Sequence, residues 1–363
     1  MHDRLFEPLQ LGELRLANRV VMAPMTRSRA NVFDEPDELH VAYYGQRASA
    51  GLIIAEGTYP SLVGKGYCRT PGIATPGQVE AWRRVTDTVR TGGASQVLQL
   101  MHVGRVASHH NKPEGVETVA PSAIAAQGSL YSDSHGLVPM ELPRALETAE
   151  IAGVIEEYCQ AAVNARHAGF DGVELHCSSG YLPMQFLLAG SNRRQDGYGG
   201  SLAKRIRFVV ECLEAMAGAI GAGRVGLRII PGNPFNDMQD DDPAATYGAL
   251  LDAVNPLGLA YVQVSRSPQP GLDAFALVRR HFRGGVILND GFDGASARQA
   301  LADGLGDAVS FARHYIANPD LVQRLRQGAA LASFDRTTLY TPGAAGYIDY
   351  PALPVHRSET CLP

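Results

Sequence analysis

The chain has 363 residues, 45% of them apolar, 19% charged and 7% aromatic, and 32 basic against 37 acidic side chains leave a net charge of −5. That length buries a sizeable core without disulfides or a structural metal, and the near-neutral balance argues against nucleic-acid or anionic-membrane binding through bulk charge. No apolar run approaches the ~18 residues that span a bilayer, Met1 to Leu5 lacks a signal peptide's apolar stretch, and Cys68, Cys159, Cys177, Cys212 and Cys361, with no CxxC pair, read as reduced thiols in a cytoplasmic setting.

Alternation of Leu9, Leu11, Leu14 and Leu16 around Gly12 predicts an N-terminal β-hairpin. Eight short apolar runs follow: 19–23, 52–55, 96–100, 172–175, 225–230, 260–264, 286–288 and 308–311. Between them lie helical stripes. Val79, Trp82, Val85 and Val89 form one that Gly92-Gly93 stops. Ile206, Val209, Val210, Leu213 and Met216 form another that Ser201 can cap, and Leu272, Phe275, Val278 and Phe282 a third before Gly284-Gly285. Continuous apolar strands, each followed by a helix, predict parallel strands buried on both faces. Eight such units predict an α/β fold, a (β/α)8 TIM barrel. Residues 103–146 and 180–200 exceed ordinary connections and read as long excursions over the mouth after strands 3 and 4.

Barrel chemistry sits at the C-terminal strand ends. Those ends carry Pro24-Met25-Thr26, Glu56-Gly57, Gln99 to His102, His176 to Tyr181, Arg228, Asn289-Asp290-Gly291 and Ala312-Arg313. Hydroxyl, amide and guanidinium groups suit a flat heterocycle, and a His/Tyr pair can hold and protonate a substrate. No carboxylate pair is expected there, which disfavours glycoside hydrolysis. Arg228, inside a buried strand, needs a partner, and a bound ligand is a better candidate than an unseen carboxylate. Other motifs carry no function. Gly221 to Gly226 spells GxGxxG but precedes a strand instead of leaving one. Asp240-Asp241-Asp242 reads as a solvated helix entry, and His109-His110 lacks metal-ligand spacing with a third group, so no metal is expected. Cys177 reads as a small buried residue, though its place beside His176 makes it the one thiol to check against a ligand.

In order along the whole chain, Leu5-Phe6-Glu7-Pro8-Leu9, Ala23-Pro24-Met25-Thr26-Arg27, Glu56-Gly57-Thr58, Leu98-Gln99-Leu100 with His102-Val103-Gly104-Arg105, Gly169-Phe170-Asp171-Gly172-Val173-Glu174-Leu175-His176, Gly180-Tyr181-Leu182, Ser191-Asn192-Arg193 and Ala317-Asn318-Pro319-Asp320-Leu321 resemble the Old Yellow Enzyme family, FMN-dependent ene reductases on a (β/α)8 barrel. The resemblance implies one FMN-binding domain over residues 1–363, either monomer or homodimer. Its substrates would be NAD(P)H and an α,β-unsaturated carbonyl compound, with no nucleic-acid or membrane partner. It implies that Thr26 bonds the flavin carbonyl beside N5, Gln99 reads the pyrimidine edge and Arg228 sits beside N1. Pro24, Met25, Gly57, Asn289, Asp290, Ala312 and Arg313 complete the cofactor site, with Arg313 on the phosphate. His176 and Ser179 would donate to the substrate carbonyl and Tyr181 would deliver the proton, while Tyr67, Met101 and Tyr340 line the substrate side.

Departures from the family cluster at the substrate side. Ser179 replaces the usual Asn or His, predicting a looser carbonyl clamp, and Met101 replaces a frequent Trp, widening the pocket. Asp290 and Ala312 stand where small residues are usual, so Asp290 is expected to point away from a phosphate or to have a cationic partner. Thr341 to Ala345 replaces a Gly-rich stretch. The expected reaction is C=C reduction, and Ser179 with Met101 suggests a dedicated, bulky substrate such as a biosynthetic intermediate. The alternatives are a flavoenzyme that isomerises, desaturates or oxidises a specialised substrate at the same site, and a flavin-free barrel serving as a binding protein.

Overall fold

The computed structural model describes residues 3–354; Cys361 lies outside them. Each of the eight apolar runs becomes a strand: β1 (Val20–Met22), β2 (Leu52–Thr58), β3 (Ser95–Leu100), β4 (Gly172–Cys177), β5 (Val225–Ile229), β6 (Tyr261–Ser265), β7 (Gly285–Asn289) and β8 (Ala308–Phe311). All pair in parallel with their chain neighbours, and β8 closes on β1. The helices α1 (Glu38–Gln46), α2 (Pro76–Gly92), α3 (Thr148–His167), α4 (Leu202–Ile220), α5 (Pro243–Val254), α6 (Ala274–His281), α7 (Gly294–Ala302) and α8 (Leu321–Gln327) alternate with them.

Local signals explain where these helices begin. Thr75 and Gln78 form a capping box at α2, with Pro76 in the first turn. Asp273 accepts from the amides of Phe275 and Ala276, so α6 begins at Ala274 and Leu272 falls outside its stripe. Ser201 precedes α4 in an extended conformation, but its hydroxyl makes no capping bond. Of the three aspartates before α5, only Asp242 caps; Asp240 is half-buried and accepts from the Thr246 hydroxyl at 3.0 Å, so the run is not simply solvated.

Two cores result. Outside the barrel, the helices pack apolar side chains such as Trp82, Val209 and Val278 against the strands. Cys177 lies in this outer core, fully buried, and not at the mouth. Inside, the N-terminal hairpin (Leu9–Leu11 with Leu14–Leu16) drives Leu11, Leu14 and Leu16 against Val21, Leu52, Ile54, Val97, Tyr261 and Ile287. The hairpin turn docks on the glycine-rich stretch before β5, where the Glu13 amide donates to the Gly223 carbonyl at 2.7 Å. The GxGxxG match is therefore a helix stop and a packing surface.

At the other end the excursions have structure of their own. The one after β3 carries an antiparallel hairpin (Ser129–Ser132 with Gly136–Pro139) and a short parallel pair (Val119–Ala120 with Arg144–Ala145). The one after β4 contains a buried helix, Leu182–Leu187. A C-terminal strap, residues 335–350, is fastened to the loop after β1: Arg27 Nη2 donates to the Gly346 carbonyl at 2.8 Å, and Arg29 Nη2 to those of Thr338 and Ala345 at 2.8 and 2.9 Å. His109 and His110 sit on the outer excursion, where His135 stacks on His110 with ring centroids 3.9 Å apart. A third histidine is thus close in space, yet no group able to hold a metal forms among the described residues.

Candidate active site

Alternate residues of the strands point into the barrel, and above the apolar plug these are polar. Arg228 on β5 donates through Nη1 to Gln263 Oε1 at 2.7 Å and through Nη2 to Asn289 Oδ1 at 3.1 Å and Ser265 Oγ at 3.4 Å. Gln263 Nε2 and Asn289 Nδ2 both donate to Ser310 Oγ at 2.9 Å, and Ser265 donates to Asn289 at 2.8 Å. On the opposite side Gln99 Nε2 donates to Glu174 Oε1 at 2.8 Å. Side chains from β3 to β8 thus make a polar layer across the barrel. Three of the five N–H groups of Arg228 are used, which leaves two for a ligand. The carbonyl oxygen of Gln99 is likewise left over.

Arg228 also has a carboxyl group within electrostatic reach, which the sequence does not reveal. Glu174, fully buried on β4, is the largest influence raising the guanidinium against its loss of solvation. No direct ion pair joins the two among the described residues, so the attraction acts through space.

His176 and Tyr181 meet beside this layer, ring centroids 4.8 Å apart. Burial, reinforced by the Arg228 charge, pushes His176 well below its usual range, so the ring is neutral. Its Nδ1 is 2.9 Å from Ser178 Oγ; a ring that accepts there from the hydroxyl carries its proton on Nε2. Burial raises the Tyr181 phenol, so it keeps its proton at neutral pH. Its hydroxyl donates to Tyr67 at 3.2 Å. Met101, Val103, Val106 and Ala107 pack around Tyr181, with half-buried Tyr67 and Met140 against them. Gly57 backs onto Met101, where an added Cβ would lie 2.6 Å from the sulfur.

Other expected residues are placed differently. Ser179 adopts left-handed backbone, φ 56°, and its carbonyl accepts from Asn236 Nδ2 at 2.8 Å. Pro24, Met25 and Thr26 follow β1, half-buried at the rim. Asp290 does have a cationic partner: Arg313 Nη2 lies 2.8 Å from its Oδ1, with the two side chains 64% and 53% exposed. Ala312 precedes the short helix Arg313–Ala317. Tyr340, on the strap, is 61% exposed and belongs to the rim instead of an inner wall.

The model for the NADH:flavin oxidoreductase / NADH oxidase family matches residues 4–332. The chain belongs to this family. It is 42% identical over 360 residues to a probable flavin mononucleotide-dependent alkene reductase from Leishmania infantum, covering 96% of this chain and 97% of the relative. Its structure is similar to that of morphinone reductase in complex with tetrahydroNAD, at TM-score 0.93 and 45% identity over 97% and 98% of the two chains. It also resembles the old yellow enzyme homologue from Zymomonas mobilis, at TM-score 0.93 and 36% identity over 96% and 99%. The expected family and fold hold, and the chain is an FMN-dependent oxidoreductase, which removes the flavin-free reading. The residues present fit the cofactor: across the layer, the spare guanidinium N–H groups of Arg228 and the amide oxygen of Gln99 offer both donors and an acceptor, as a ring edge carrying carbonyl and N–H groups requires.

Sequence reasoning missed Ser178, Glu174, Gln263, Ser265 and Ser310. The signal was available. Glu174 and His176 stand two apart, as do Gln263 and Ser265, which is the spacing that places side chains on one strand face. These strands had been read as continuously apolar.

Proposed function

We propose that this family member uses NAD(P)H to reduce the activated C=C bond of an α,β-unsaturated carbonyl compound, with His176 on the carbonyl oxygen and Tyr181 as the acid. The observation that carries this is a neutral imidazole and a protonated phenol meeting beside the polar layer. Bound FMN supplies the hydride. As hydride reaches the β-carbon, negative charge grows on the carbonyl oxygen, and a donor fixed there stabilises the transition state more than the ground state. His176 fills that role through Nε2, its ring set by Ser178. The α-carbon needs a proton, which the Tyr181 hydroxyl holds at neutral pH. Thr26, Gln99 and Arg228 hold the isoalloxazine and Arg313 the phosphate. Pro24, Met25, Gly57, Asn289, Asp290 and Ala312 complete the surroundings of the cofactor, and Tyr67, Met101 and Tyr340 border the substrate.

Ser179 enters this reading as a backbone turn. Its left-handed conformation and the bond from Asn236 to its carbonyl explain why a short side chain suffices, and they leave His176 as the principal carbonyl donor. A cytoplasmic setting is consistent with Cys68, Cys159, Cys177 and Cys212 all being free thiols. Among the described residues no helix is long and apolar enough to cross a membrane.

An anaerobic titration tests the reading. NADH or NADPH should bleach the flavin of the purified protein, and cyclohexenone should restore its colour. Tyr181→Phe should bleach normally and reoxidise with the enone about 100-fold more slowly. Unchanged reoxidation in that variant removes the acid assignment, and a reduced protein inert to every unsaturated carbonyl removes the reaction.

A further inference from the structure

Among the described residues, Glu174 is the one carboxyl group inside the barrel's polar layer, and the reaction above does not use it. It is fully buried on β4 at the level of Gln99 and Gly226. One carboxyl oxygen accepts from Gln99 Nε2 at 2.8 Å. The other, Oε2, has no hydrogen-bond partner among the described residues. An isolated buried carboxylate is costly unless compensated, so its retention there calls for an account.

The groups that face it supply one. From β3 comes the uncharged amide of Gln99. From β5 comes the Arg228 guanidinium, whose attraction opposes the loss of solvation. Gly226, on the same strand, has no side chain, and the ring of Tyr261 on β6 occupies the space a Cβ would take. The Tyr261 phenol therefore faces the carboxyl group and, with Arg228 and Gln99, opposes the upward push of burial on it. On β4 itself, His176 is held neutral. Among the described residues, the only full positive charge facing Glu174 is thus Arg228, the cation assigned to the flavin.

We propose that Glu174 is a positioning residue for the pyrimidine end of the flavin: it pins Gln99 by its amide nitrogen, so that the carbonyl oxygen is presented to the cofactor, and its negative charge offsets part of the Arg228 charge felt by the reduced flavin. This rests on the proposed placement of FMN on Gln99 and Arg228. A pinned amide cannot flip, which fixes which end of Gln99 accepts and which donates. The offset has a definite sign. Ionised Glu174 opposes the arrival of electrons on the flavin, and protonated Glu174 does not. Burial pushes this carboxyl up to about 7, so both forms are accessible near neutrality.

The test is the flavin midpoint potential of wild type and Glu174→Gln, measured well above and well below the pH at which the carboxyl titrates. Glutamine keeps an acceptor for Gln99 and removes the charge. The variant should have the higher potential at the alkaline pH, with the gap closing at the acid pH; a merely structural role gives no such pH-dependent gap. Equal potentials at both pH values overturn the charge role. Glu174→Asp provides a second arm that retains the charge, including when Glu174→Gln does not fold. Its shorter side chain should lose Gln99 and raise the FMN dissociation constant about tenfold, with the pH response of the potential preserved. Wild-type affinity in Glu174→Asp overturns the pinning. If FMN binds tightly to wild type but Gln99→Ala and Arg228→Ala bind it equally well, it is the placement of the cofactor that fails.

Discussion

Ser178 shows how much of the site's chemistry rests on a side chain that touches no reactant. Its hydroxyl lies 2.9 Å from His176 Nδ1; when it donates there, the neutral ring carries its proton on Nε2, the tautomer that the proposed reaction uses. Ser178→Ala should lower kcat/KM for an enone about tenfold, the cost of one misdirected hydrogen bond, while leaving FMN affinity and the rate of flavin reduction by NAD(P)H unchanged. Steady-state and half-reaction kinetics separate these outcomes. Asp290 works the other way. Its backbone φ is 74° and its carboxylate engages Arg313 at the rim. Asp290→Gly frees the guanidinium, removes a charge repelling a phosphate and suits the left-handed backbone. An exposed pair is worth about 1 kcal/mol or less, so the FMN dissociation constant should fall about fivefold, as equilibrium flavin fluorescence would show. Sequence alone left Asp290 either pointing away from a phosphate or paired with a cation, and could not choose, because the pairing joins the loop after β7 to the helix after β8.

Among the elements, the strap depends on two side chains more than on its own sequence. Arg29 makes five hydrogen bonds, all to backbone carbonyls: those of Arg27, Thr338, Leu339, Gly343 and Ala345. Its guanidinium also lies 4.5 Å from the centre of the Tyr347 ring. Lysine has three donors on a flexible stem and cannot reproduce that fan. Arg29→Lys should therefore destabilise the protein by about 3 kcal/mol and open the strap to limited proteolysis between residues 335 and 345. Cleavage at the wild-type rate would show the fan to be dispensable. The strap was invisible in the sequence because backbone acceptors carry no residue signature. The strands were legible: each apolar run matches its strand within two residues at either end, except that β2 runs three residues further, to Thr58. The apolar runs of β2, β4 and β7 stop where polar residues begin, at Glu56, His176 and Asn289; the last two face the candidate site, whereas Glu56 is held by the Tyr44 hydroxyl and the Arg27 amide.

The described residues form a barrel plugged at one end by the hairpin of residues 9–16 and bordered at the other by the strap of residues 335–350. That construction buries polar groups as well as apolar ones, and His102 is the clearest case. It is fully buried after β3, its Nδ1 accepts from the Gly104 amide at 3.1 Å, and its Nε2 has no partner among the described residues. Burial, with the Lys112 charge adding to it, pushes this ring down to about 3 from 6.5. A group whose folded pKa lies below its unfolded value binds fewer protons in the native state, so its contribution to stability is present above about 6.5 and is lost as the pH falls toward 3. Glu174 acts in the opposite sense between 4.5 and about 7, because its folded pKa is raised. Chemical denaturation from pH 7 to pH 4 should thus show a shallower acid-side loss of stability in His102→Gln than in wild type; parallel profiles would remove His102 from the account. The barrel, the hairpin and the mouth excursions were legible in the sequence because they follow from apolar spacing and loop length. Tautomers, orphaned nitrogens and charge offsets were not, because they depend on which side chains meet across strands. One further consequence follows from the strap. Residues 340–345 are held by their carbonyl oxygens while their side chains face outward. The rim can thus be rewritten by mutation without loosening its fastening, so the surface chemistry around the barrel mouth is open to change at little cost to the fold.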